Sequence, residues 1–100
     1  MDIVEISKVL SNDTRVRILG WLKEPERNFP PHVDIDGFED GVCVGYIQDK
    51  TGLSQSTIST YLTSMQRVGL VIPKRHGRWT YYKRNEEVIS TYINTLTQEL

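Results

Sequence analysis

One hundred residues, 38% hydrophobic and 25% charged, supply one domain: a chain this long buries only about two-thirds of its unfolded surface and has no material for a second core. No apolar run approaches the roughly 20 residues that cross a bilayer, the longest being 18–22 and 41–47, and charges scattered through the first twenty residues break any signal-peptide core. The formal charge is only −1 and Cys43 is the single cysteine, so an internal disulfide is excluded and a reducing cytoplasm is the expected setting, with no membrane partner.

In chain order, Ile3, Ile6 and Leu10 fall at helical spacing and predict a short first helix. Asn12 or Asp13 caps a second, whose apolar stripe is Val16, Leu19 and Leu22 with Ile18 and Trp21 beside it, and which stops at Pro25. Residues 24–40 hold three prolines, a glycine and several acids without periodicity, an excursion longer than compact domains usually spend on one connection. Helical spacing resumes over 42–50, anchored by Val44 and Ile47, and ends at Gly52, which suits the left-handed residue that closes a helix. Ser54 is a good N-cap for the next helix, which reaches about Val68 with Ile58, Leu62 and Met65 facing inward, and Gly69 stops it. From Leu70 the period approaches two: 70–75 and 78–84 are rich in β-formers, and His76-Gly77 between them reads as a hairpin loop. Asn85 caps a last helix over 86–100. The expected order is α-α-α-α-β-β-α, mainly helical with a β-hairpin.

The small net charge hides an asymmetry. Between Lys50 and Asn85 lie seven cations and no acid, a net of +7, while the remainder carries five cations and all thirteen acids, a net of −8. A basic region on an otherwise acidic chain marks a polyanion-binding face, because the acidic pole turns away as the two approach. That window is built as helix, short glycine turn, helix and basic hairpin, which is the helix-turn-helix layout with a wing. Residues 54–64 contain seven Ser or Thr in eleven positions, mediocre helix formers whose hydroxyls compete for backbone groups. Local propensity does not explain that choice, whereas a face of short hydroxyls that approaches phosphates and base edges does. Gln55 has the donor and acceptor pattern to pair with adenine. Arg75, His76 and Arg78 flank the hairpin tip, where cations straddle a phosphate backbone or enter a minor groove. Trp79, Tyr81 and Tyr82 read as packing residues rather than base-stacking platforms.

The stretch GLSQSTISTYLTSMQRVGLV followed by KRHGRWTYYKR, with SNDTRVRILGWL earlier, resembles the ArsR/SmtB family of bacterial repressors over nearly the whole chain apart from 24–40. The resemblance implies a winged helix-turn-helix fold and a dimeric repressor that binds a near-palindromic operator in double-stranded DNA until an inducer releases it. It also implies DNA contacts from Ser54, Gln55, Ser56, Ser59 and Thr60 on the helix and Arg78 on the wing. Metal-sensing members carry a Cys-x-Cys pair before the turn, or Asp and His on the last helix. Here GVCVGYI keeps Cys43 but has Gly45 at the second position, and 86–100 contain neither Asp nor His, so no metal site and no cofactor are expected. Cys43 then reads as a small buried residue, with a lone redox sensor as the alternative. The acids Asp34, Asp36, Glu39 and Asp40 lack calcium-loop spacing and read as loop polarity.

With His32 and His76 the only histidines and no phosphate loop or supported nucleophile-base pair, catalysis is not expected. The rival function is a winged helix used as a protein-protein module without DNA binding. A homodimer is expected through the terminal helices. Ile89, Tyr92, Ile93, Leu96 and Leu100 form one apolar stripe, joined by Ile3, Ile6 and Leu10.

Overall fold

The structure, a computed structural model, describes residues 2–100 and runs α1 (Ile3–Leu10), α2 (Asp13–Lys23), α3 (Pro25–Asn28), β1 (Val42–Cys43), α4 (Val44–Thr51), α5 (Gln55–Arg67), β2 (Val71–His76), β3 (Trp79–Arg84) and α6 (Glu86–Glu99). Among the described residues no helix is long and apolar enough to cross a membrane.

The helix starts follow from side-chain caps. Asp2 Oδ1 accepts the N–H groups of Val4 and Glu5, Asn12 Oδ1 that of Arg15, and Asn85 Oδ1 that of Val88. Each satisfies amides that have no partner in the first helical turn. Asn12, not Asp13, is thus the cap of α2. The expected stripe of α2 is rotated: Val16 is 48% exposed, whereas Ile18, Leu19 and Leu22 are buried. Position 18 rather than 16 points between α5 and the sheet, and the completely buried Ile18 joins Ile47, Ile58, Leu62 and Met65 in the core. Each such side chain contributes about 1.5–3 kcal/mol by leaving water.

The hairpin gains a third strand. The sheet order is β1-β3-β2, all antiparallel, with Val42 opposite Tyr82 and Cys43 opposite Tyr81. Residues 42 and 43, expected as helix, are therefore extended, and α4 starts only at Val44. Pairing with β3 outweighs the local periodicity, because the ladder leaves both residues buried. Pro73 lies on the edge strand β2, where its missing N–H costs no ladder bond with a further strand. The turn is also displaced by one residue from the expected His76-Gly77. His76 pairs with Trp79, and Gly77 and Arg78 form the loop, with Gly77 at φ +59 as the first central residue of a type II′ turn requires.

Residues 24–40 form an ordered wrap. Pro25 opens the single turn of α3 at a position where its lack of an N–H is harmless, and Asn28 Nδ2 donates to the carbonyls of Trp21 and Glu24. Phe29 is buried edge-on against Trp21, and His32 lies among Phe38, Tyr46 and Tyr81 at ring separations of 4.7, 5.1 and 5.0 Å. Gly41 N–H closes the turn onto the Phe38 carbonyl at 2.9 Å and leads into β1.

The terminal helices pack on each other within the chain. Ile6 and Tyr92, expected at a dimer interface, are 3% and 9% exposed, and the Tyr92 hydroxyl lies 2.7 Å from Ser7 Oγ. They are core residues of the single chain, because α1 folds back onto α6 and covers that part of the stripe. Ile3, Leu10, Ile89 and Leu96 are half-buried, while Ile93 and Leu100 stay exposed together with Val4.

Candidate nucleic-acid interface

The turn between α4 and α5 is three residues long and its geometry is locally determined. Gly52 takes φ +71 and donates its N–H to the Gln48 carbonyl at 2.9 Å. Thr51 Oγ1 donates to the same carbonyl and accepts the N–H of Leu53, so the helix end is satisfied before the chain reverses. Ser54 Oγ then accepts the Thr57 N–H and donates to Thr57 Oγ1 at 2.9 Å. Ser54, singled out as a DNA contact, is first the N-cap of α5, and this local bonding offsets the weak helix propensity of the Ser/Thr run.

α5 has two unlike faces. Ile58, Leu62 and Met65 are completely buried, which fixes the helix against the body. Ser54, Gln55, Ser56, Ser59 and Thr60 are all exposed on the outer side. Ser59 and Thr60 make no side-chain hydrogen bond with the other described residues, whereas Ser64 is occupied by the Tyr61 carbonyl at 2.8 Å. Two further residues belong to this surface. Thr63 and Arg67 join Ser59, Thr60 and Ser64 around a shallow hollow, and Arg67 is exposed with no ion pair among the described residues. The signal for them was present in the helical period, since 56, 60, 63 and 67 continue one face at i, i+4, i+7 and i+11.

The wing presents its cations unequally. Arg78 is exposed at the turn apex, a consequence of the one-residue displacement described above. Arg75 is exposed too, but its Nε donates to the Gly77 carbonyl at 3.0 Å and its Nη1 reaches Thr80 Oγ1 at 3.4 Å, so it braces the apex. His76 is the last paired residue of β2, and its Nε2 lies 2.7 Å from Asp40 Oδ2, tying the wing to the wrap. Arg84 turns inward: its side chain is 13% exposed, hydrogen-bonded to Glu86 and to the Leu19 carbonyl. The Arg84 hydrogen bonds hold the Glu86 carboxyl below its ordinary pKa. Lys50 sits over the rings of Trp21 and Phe29 at 5.1 and 5.9 Å. Of the basic stretch, Arg67, Lys74, Arg78 and Lys83 remain outward and without an ion-pair partner among the described residues.

Of the aromatic residues read as packing, Tyr81 is buried and Tyr82 half-buried, and burial raises both phenol pKa values, for Tyr81 with help from Cys43 and Asp34. Trp79 departs from the expectation, being 44% exposed beside the wrap. Cys43 is a buried free thiol, and a Cβ added at Gly45 would meet only its Sγ, at 3.9 Å.

No protein-family model matches the chain. It is 49% identical, over its full length and that of the relative, to YbzH of Bacillus subtilis, described as an uncharacterized HTH-type transcriptional regulator. It is 28% identical over 83 residues to the arsenic resistance transcriptional regulator ArsR1 of Pseudomonas putida, a match covering 83% of this chain and 54% of that protein. Its fold matches that of an ArsR-like transcriptional regulator from Rhodococcus with a TM-score of 0.70 and 20% identity, over 96% of this chain and 76% of the other. With the winged helix-turn-helix in place and 49% identity over the full length of such a regulator, the chain belongs to the HTH-type transcriptional regulators, and it shares its fold with ArsR-like regulators.

Proposed function

We propose that the chain is a homodimeric repressor that holds a near-palindromic DNA operator with α5 and the wing and lets go when a signal binds. The observation that carries this reading is the exposed, acid-free outer face of α5, from Ser54 to Arg67, whose opposite face is sealed into the core. A helix fixed on one side and offering short hydroxyls and an amide on the other suits a major groove. The free amides at its start favour a phosphate. The outward cations of the wing supply sequence-independent attraction. Because Gly45 takes the place of a second thiol beside Cys43, the signal in this reading is not a metal held by a thiolate pair.

The deciding experiment is binding to random and selected duplexes across a salt series. A DNA-binding chain shows a steep fall in affinity, with a log–log slope of about −0.9 per phosphate neutralised, and prefers the selected duplex. A flat response would instead support the protein-protein module.

Two substitutions divide the interface. Arg78→Ala weakens binding to every sequence about equally and lowers the salt slope by roughly one unit, because it removes one phosphate contact. An unchanged slope removes the wing apex from the interface. Gln55→Ala costs about 1–3 kcal/mol on the best operator and relaxes base preference at one position in each half-site. Equal loss on random DNA assigns Gln55 to backbone positioning alone.

A further inference from the structure

Beside the wing strand β3, the wrap and α4 line a groove of about 270 Å³. Its walls are the rings of Tyr46, Trp79 and Tyr81 with His32 between them, and its rim carries the carboxylates of Asp34 and Asp49. Gly45 forms part of its lining and leaves that side open, since a Cβ there would have only Cys43 Sγ nearby.

The charge of the groove is unbalanced. Neither Asp34 nor Asp49 has an ion-pair or side-chain hydrogen-bond partner among the described residues, although Asp40, six residues beyond Asp34, is matched by His76. His32 does not supply the missing cation. Its Nδ1 faces the Gly37 carbonyl at 3.0 Å and so must donate, while its Nε2 accepts the Cys43 N–H at 3.2 Å, and a ring bonded in this way is neutral. The Tyr81 hydroxyl, buried and facing the Asp34 charge, stays protonated. What remains is a groove lined by Tyr46, Trp79 and the buried Tyr81, with two carboxylates that make no ion pair among the described residues, while Arg78 and Lys50 border the adjoining hollows. Aromatic faces attract cations through the ring quadrupole, and more strongly when a nearby carboxylate adds its field.

We propose that this groove binds a small organic cation, an ammonium ion carrying a compact aromatic or aliphatic body. The volume lies just below the roughly 300–1,000 Å³ usual for small-molecule pockets, which limits the occupant to a compact molecule. An anion would face Asp34 and Asp49, and a neutral ligand would leave their charges unanswered. Asp34, Trp79 and Tyr81 also border an adjoining hollow that contains Arg78, so an occupant touches the strand that carries the wing apex. The site stands on the groove's own geometry and does not depend on the DNA-binding reading.

The test is a titration of the full chain with benzyltrimethylammonium chloride at constant ionic strength, followed by amide and indole NMR shifts, with benzoate as the anion of similar size. Saturable shifts centred on Gly45, Tyr46 and the Trp79 indole, absent with benzoate, support the proposal. The double substitution Asp34→Asn with Asp49→Asn should weaken the affinity by about tenfold or more, since both acids are exposed and their loss leaves the core intact. Gly45→Val, which fills the groove from within a helix, should abolish the shifts while the circular dichroism is retained. The proposal is overturned if the ammonium probe does not saturate in the millimolar range. It also fails if benzoate produces the same shifts, or if the doubly substituted chain, folded as judged by its spectrum, binds as tightly as the parent.

Discussion

Ile93→Asp is expected to leave each chain folded, to convert the proposed dimer to a monomer and to lower operator affinity by about 10²–10⁴-fold. The side chain is 54% exposed on α6, so an aspartate there meets water in the isolated chain and disturbs none of the buried core. In the proposed dimer the same position is covered, and an unpaired carboxylate at a covered apolar site is costly. Val4 on α1 and Leu100, just after α6, are also exposed, and with Ile93 they are apolar side chains that the single chain leaves uncovered. A two-fold axis through them would set the two copies of α5 about one DNA turn apart, roughly 34 Å, so that each half-site raises the effective concentration of the other. The loss of affinity therefore exceeds that from any one base contact. Light scattering of the parent and substituted chains, with operator binding measured on both, decides the matter. A parent protein that is monomeric at micromolar concentration would sink the dimer, as would a folded Ile93→Asp monomer with undiminished affinity.

The largest expected effect on stability is at Gly41. A Cβ built there would lie 2.0 Å from the Tyr82 carbonyl oxygen and 2.6 Å from the Lys83 backbone nitrogen, and the residue sits at φ +97. Both neighbours are backbone atoms of the central strand β3, which is held on one side by β1 and on the other by β2, so they cannot rotate away. Gly41→Ala therefore combines an unfavourable backbone conformation with a backbone clash and should cost about 3–5 kcal/mol. That is a large share of the roughly 5–15 kcal/mol that holds a domain together. Urea unfolding should show the midpoint falling by the corresponding amount. Gly20→Ala, in a helix with nothing within 4 Å of the added methyl, should be neutral or slightly stabilising and serves as the control. A cost below about 1 kcal/mol at Gly41 would show that β1 and the wrap move off β3 freely, and would remove the main argument that they are firmly attached.

The five longer helices, apart from the start of α4, and the turn between α4 and α5 were legible in the sequence because what specifies them is close by along the chain, whereas the single turn of α3 was not. A cap is a side chain bonding to an amide two or three residues on, as at Asp2, Asn12, Ser54 and Asn85, and Gly52 closes α4 through a bond to the residue four before it. The inward face of α5 followed from spacing alone, because Ile58, Leu62 and Met65 repeat at i, i+4 and i+7, and the half-buried Tyr61 packs beside them. The tertiary structure decided everything that depends on which distant segment arrives alongside. Val16 and Ile18 are both apolar and β-branched, and the position of the sheet and α5 buries the second and exposes the first. Ile6 and Tyr92 belong to the stripes expected between chains, yet α1 folds onto α6 and takes them into the core. Val42 and Cys43 have a helix-like pattern and become a strand because β3 offers them partners forty residues away. That ladder, together with His32, Phe29 and the His76–Asp40 bond, is also what turns the aperiodic 24–40 into a fixed wall. Periodicity and capping report free energies summed over one helical turn; pairing and burial are settled by contacts whose partners no local window contains.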